Sequence, residues 1–223
     1  MIALLKKDFI TSRYAYSIIT LLVGVILAFT SIKSMEAAMF IYVMGSMMIP
    51  IMVNKFTATE EMRKNYDIII NSFPVKRRDV VISKYIYYLV IYIATAVVLL
   101  GIITLVGRLN VEELKLILLV QSIVFIYYSL IQGVSNYIYY RFEYSTAAKY
   151  SSIIIISIIY VPFILVGFIS KISPNIKEKF LSYGDKVMNN VPLVATTIIL
   201  IGLAIYAVFI LLSIEGYKKR DLQ

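Results

Sequence analysis

The chain has 223 residues, of which 61% are hydrophobic and 16% charged, whereas a globular domain is about half apolar and about a quarter charged. A domain of this length has no interior large enough for so much apolar surface, so lipid is its solvent over much of its area; this excludes a soluble enzyme, a nucleic-acid-binding domain and a disordered chain. With 22 Lys+Arg against 13 Asp+Glu, the net charge of +9 belongs to membrane topology and anionic lipid, and a chain without Cys or His has no disulfide, thiol nucleophile, zinc site of the usual ligands or histidine proton relay.

Met1 to Arg13 reads as a short amphipathic helix lying in the headgroup plane: Ile2, Leu5 and Phe9 share a face, with Lys6, Lys7 and Arg13 mostly off it. The first charge-free apolar run follows from Tyr14 to Ile32. It is too long for a signal-peptide core and no small-residue cleavage site follows it promptly, so it reads as a retained span. Within it, Gly24 and Ala28 form a small-residue face of the kind that brings two membrane helices together. A second span runs from Ala37 to Asn54, with Pro50 near its inner end as a terminator rather than a hinge. Residues 14–54 are thus spans 1 and 2.

The connection Lys55 to Ser83 is long for a loop inside a compact bundle. Met62, Tyr66, Ile69, Ile70 and Phe73 recur at helical spacing there. Asn71 or Ser72 suits a helix cap and Pro74 a first turn, so a short helix is expected to run into the third span. A small rigid element carrying Phe73 and Val75 on one side and charges on another suits a pocket of a soluble partner. A solvated loop whose basic cluster touches anionic lipid fits the same residues equally well.

Spans 3 and 4 fill residues 84–140, as Tyr85–Gly107 and Leu116–Tyr140. A shorter second inner loop occupies 141–149, with Arg141 and Glu143 as a possible second contact; a plain turn is the simpler reading. Spans 5 and 6 fill 150–214, as Tyr150–Ser170 and Val191–Ile214, with Pro162 and Gly167 expected to bend the fifth helix, and 215–223 is a tail. Runs such as Ile153–Ile156 and Val97–Leu100 do not alternate, which rejects a transmembrane barrel.

Six spans put both termini on one side. With the termini inside, the outer loops hold Lys33, Arg108, Lys115, Lys171, Lys177, Lys179 and Lys186, and the other fifteen basic residues face inward. The excess favours cytoplasmic termini. Tyr85, Tyr87 and Tyr88 at one inner boundary, and Tyr137, Tyr139, Tyr140 and Tyr144 at another, read as headgroup anchors.

No Asp or Glu falls inside any of the six spans, so the usual carriers of proton or sodium coupling are missing. Gln121 and Gln132 in span 4 read as bonds to neighbouring helices. No G-x-x-x-x-G-K-[ST] is present to cradle ATP. Glu60-Glu61 is similar to the paired glutamates of intramembrane CAAX-type proteases, but those also need His, which is absent. The chain is therefore expected not to be an enzyme, to hold no catalytic residue, cofactor or metal, and to draw any transport energy from another polypeptide.

The stretch from Glu60 to Tyr85 resembles the first cytoplasmic loop of ABC-2 type transporter permeases. It has an acidic start, an aliphatic run, a Ser-Phe-Pro turn, basic residues, and an aliphatic–Ser–Lys–Tyr passage into the next helix. Elsewhere the likeness is one of hydropathy, and the second inner loop has Arg141-Phe142-Glu143-Tyr144 where the family often has a Gly-containing basic turn. The resemblance implies an all-α polytopic membrane protein and one transmembrane domain over 1–223. It would pair with a second permease chain and dock separate ATPase subunits that carry ATP-Mg. Ser72, Phe73, Pro74, Val75, Lys76, Arg77, Arg78, Asp79 and Val80 would form the coupling helix, with Phe73, Pro74 and Val75 filling the partner's pocket and Lys76, Arg77, Arg78 and Asp79 making charged contacts. Within the family the chain's size and texture are similar to permeases of the staphylococcal phenol-soluble modulin exporter, which implies a bacterial cell membrane and an amphipathic peptide or lipid-like cargo. A stand-alone membrane immunity or channel-like protein without an ATPase is the competing reading.

Overall fold

The computed structural model describes residues 2–63, 76–107, 109–142, 147, 150, 153 and 190–219. Five helices account for nearly all of them: α1 Ile2–Lys33, α2 Met35–Arg63, α3 Arg77–Gly107, α4 Val111–Arg141 and α5 Val191–Lys218. All five are long and apolar enough to cross a membrane. At about 1.5 Å per residue each exceeds the roughly 30 Å hydrocarbon thickness, so the helix ends extend beyond the charge-free runs.

No separate interfacial helix occupies 1–13. α1 runs unbroken from Ile2 through Arg13 into the first span. Nothing in this stretch breaks a helix: the first Gly is Gly24 and no Pro occurs. Thr11 and Ser12 donate to the carbonyls of Lys7 and Asp8, so their hydroxyls are satisfied within the helix. α1 and α2 are separated by Ser34 alone. The Ser34 amide closes α1 on the Thr30 carbonyl, and its hydroxyl accepts from the Ala37 amide to cap α2, with Glu36 in the first turn to suit the helix dipole.

Pro50 does not terminate α2, which continues to Arg63. A proline removes one backbone bond, a loss that membrane helices tolerate when packed against neighbours; Pro50 is buried. The expected cytoplasmic loop is therefore partly helical at both ends, up to Arg63 and again from Arg77. Its middle, with Ser72, Phe73, Pro74 and Val75, lies outside the described residues. So does span 5 apart from Tyr150 and Ile153, and with it the expected bends at Pro162 and Gly167.

The chain divides into two compact units. The first holds residues 1–110 and 210–223, where α1, α2 and α3 pack against one another. Gly24 of α1 meets Ile102 of α3, and Gly45 of α2 meets Val23 of α1 and Leu99 of α3; a Cβ at Gly24 would come within 2.9 Å of Ile102. The small-residue face at Gly24 thus serves packing within the chain. The second unit holds residues 111–209. There the Phe209 ring of α5 fills the space beside Gly133 of α4, and the Phe125 ring of α4 fills the space beside Gly202 of α5.

Candidate functional site

α3 begins at a run of three basic residues, Lys76, Arg77 and Arg78. The Lys76 carbonyl accepts from the amides of Asp79, at 2.8 Å, and Val80, at 3.3 Å. Lys76 is therefore the non-helical cap, and Arg77 to Val80 form the first turn of the same helix that becomes the third span. Of the expected helix over Ser72 to Val80, Arg77 to Val80 are helical and Lys76 is not, and Ser72 to Val75 lie outside the described residues. The physical reason is local: an Asp in the first turn suits the helix dipole, and the capping carbonyl is supplied at residue 76.

The charges of this turn divide. Lys76 and Arg78 are exposed. Arg77 turns inward instead: its guanidinium donates to the carbonyls of Tyr217 at 3.0 Å and Lys218 at 3.3 Å, and lies over the Tyr217 ring at 5.5 Å. Those carbonyls lie at the end of α5, where a guanidinium gives helix-end acceptors a donor and complements the dipole. Asp79 is half-buried, and Val80 is buried in the helix bundle.

One to three turns further along, α3 carries a row of polar contacts to three other helices. Tyr85 shares a hydrogen bond of 2.8 Å with Ser213 of α5. Tyr87 donates to the Ser12 hydroxyl of α1, and the Phe9 ring meets Tyr87 edge-on at 5.0 Å. Tyr88 and Thr57 of α2 share a bond of 3.0 Å. The three tyrosines expected at the headgroups are core residues, none more than 2% exposed. A phenol suits this position because its ring fills the bundle while its hydroxyl finds a partner there.

Among them sits an ion pair. The Lys84 ammonium is 3.2 Å from Asp8 Oδ1 of α1, with the side chains 7% and 2% exposed. Lys7 approaches the same oxygen at 2.9 Å. The Lys84 ammonium also lies 5.9 Å from the Tyr88 ring centre. Asp8 was not singled out from the sequence because it lies before the first charge-free run. A signal was present: Asp8, Ser12, Thr20, Gly24 and Leu27, the buried residues of α1, recur at intervals of three, four and eight. That is a small and polar stripe along one face of a membrane helix.

In the second unit Gln132 is buried and donates to Asn136 one turn later in α4, at 3.2 Å, so its observed partner is in its own helix. Arg141 is exposed in the last turn of α4, and Glu143 lies outside the described residues. Among the described residues no group of three His, Cys, Asp or Glu side chains is placed to hold a metal.

The family model described as ABC-2 family transporter protein matches residues 3–218. No curated protein and no solved structure matches the chain.

Proposed function

The chain belongs to the ABC-2 transporter family and is a multi-pass membrane protein; from that premise we propose that it is the permease subunit of an ABC exporter in a bacterial plasma membrane, pairing with a second permease, identical or homologous, and driven by separate ATPase subunits that bind ATP-Mg. The family match over nearly the whole chain carries this reading. The segment Ser72 to Val80 is the ATPase-contacting element, with Phe73, Pro74 and Val75 as its apolar part and the exposed Lys76 and Arg78 as its charged part. Arg77 and Asp79 belong to the same element, and Arg77 also holds the end of α5. Arg141 and Glu143 offer a second contact.

Six spans with cytoplasmic termini fit the contacts of the first unit. The start of α1 meets the start of α3 through Asp8 and Lys84, and the start of α3 meets the end of α5 through Arg77. The first turns of α1 and the last turn of α5 both contact the start of α3, which supports an even number of crossings. Five helices are described, and the apolar run Tyr150–Ser170 is the natural sixth. The excess of Lys and Arg at that shared end supports a cytoplasmic placement. The cargo best suited to spans without Asp or Glu is an amphipathic or hydrophobic peptide, of the phenol-soluble modulin kind, or a lipid-like molecule arriving from the bilayer.

Affinity purification from the native membrane in mild detergent, with mass spectrometry, tests this. Recovery of an ATPase that is lost in a Phe73→Ala/Pro74→Ala variant supports it. A partner-free oligomer under conditions that preserve such complexes moves the assignment to a stand-alone immunity or channel-like protein.

A further inference from the structure

The Asp8–Lys84 pair is unlike the other contacts of α3. Hydroxyl bonds cost little to form, whereas burying two charges costs several kcal/mol each, and apolar residues of similar volume often serve stability as well or better. The pair does offer a strong, directional link with one register between two helices. It also occupies a particular place. Lys84 is the last charge on α3 before the run Tyr85–Gly107, about two turns beyond Arg77. Its partner lies on α1, joined to the rest of the chain by Ser34 alone at its far end.

We propose that Asp8 and Lys84 are positioning residues of the transport cycle: their ion pair makes α1 move with the N-terminal turns of α3 when nucleotide displaces those turns. The inference rests on the ATP-coupled reading above. The carboxylate of Asp8 holds two ammonium groups, Lys7 and Lys84, against one oxygen. Removing its charge leaves two cations side by side, so the link becomes a repulsion. Ser12 to Tyr87 and Phe9 against Tyr87 remain as weaker contacts between the same helices.

The chain contains no cysteine, so Ile10→Cys on α1 and Val90→Cys on α3, both exposed, provide two unique sites for spin labels. The separation of the labels is measured in proteoliposomes holding the chain with its co-purified ATPase, without nucleotide and with ATP-Mg trapped by vanadate. The expected result is one narrow distribution that nucleotide leaves unchanged. In an Asp8→Asn background, trapping shifts or widens it by more than about 2 Å, the scale of helix shifts in switching proteins. Exchanging the charges, Asp8→Lys with Lys84→Asp, restores the narrow distribution. The apolar pair Asp8→Leu with Lys84→Met keeps a folded bundle and shows the same widening as Asp8→Asn, which separates tethering from folding. Unchanged distributions in Asp8→Asn and in the apolar pair, with the ATPase present and nucleotide trapped, overturn the inference and leave the permease reading standing. Failure of any ATPase to co-purify removes the permease reading, and this inference falls with it.

Discussion

Around the start of α3, helices are joined by hydroxyls, a guanidinium and an ion pair; between α4 and α5 two of the contacts are glycines, each filled by a phenylalanine ring from the other helix. The two kinds of contact do different work. In lipid, apolar side chains gain little by meeting one another rather than acyl chains, so a glycine–phenylalanine joint holds by close fit. It tolerates no added volume, but it has no chemical preference that marks a single register. A polar joint has such a preference, because a slipped register strands a donor or a charge in a dry place. The start of α3 is built from the kind of contact that specifies one arrangement.

Breaking the comparison at its strongest point means removing one charge of the pair. Asp8→Asn is expected to cost about 3 kcal/mol or more, the scale of an uncompensated buried charge. Thermal unfolding in mild detergent reads it, and the apolar double replacement should recover most of the loss. On the other side, Gly133→Leu has nowhere to place its side chain against Phe209. About 1–3 kcal/mol of overpacking is expected, and Phe209→Ala in the same chain should relieve part of it. If Gly133→Leu unfolds at the wild-type temperature, the ring does not sit where it is described. Arg77→Ala removes a charged donor from two carbonyls, worth about 1.5–3 kcal/mol. It should loosen the last turn of α5, seen as faster amide exchange over residues 213–218. The smallest effect is expected for Tyr85→Phe, about 1 kcal/mol for its bond to Ser213, with no change in ATPase recovery.

The spans were legible because length is a property of the run itself. Five of the six predicted runs lie wholly inside observed helices, and the other, Tyr150–Ser170, falls almost entirely outside the described residues. Which side of each helix meets protein was not legible from hydropathy, because lipid and protein present similarly apolar surroundings. Tyr85, Tyr87 and Tyr88 look the same as headgroup anchors and as core residues until their hydroxyl partners are known. On α1 the large residues Ile18, Leu22 and Phe29 are exposed while Asp8, Ser12 and Gly24 are buried, the reverse of a soluble helix. Gly24 was recognised as a packing residue, but its partner, Ile102, is in the same chain. Pro50 reads as an end because propensity is local, whereas α2, packed against α1 and α3, continues past it. Arg77 could not be told from Lys76 and Arg78 by sequence, since only geometry shows that one of the three has the end of α5 within reach.

The Asp8–Lys84 contact also has a history within each molecule's synthesis. The two residues are 76 positions apart, so at about 5–20 residues per second a ribosome makes the acid several seconds before the base. Lys7, the neighbouring residue, is a counter-ion that arrives before the acid does. The acid therefore has one counter-ion from its own helix, made with it, and a second that only α3 can bring.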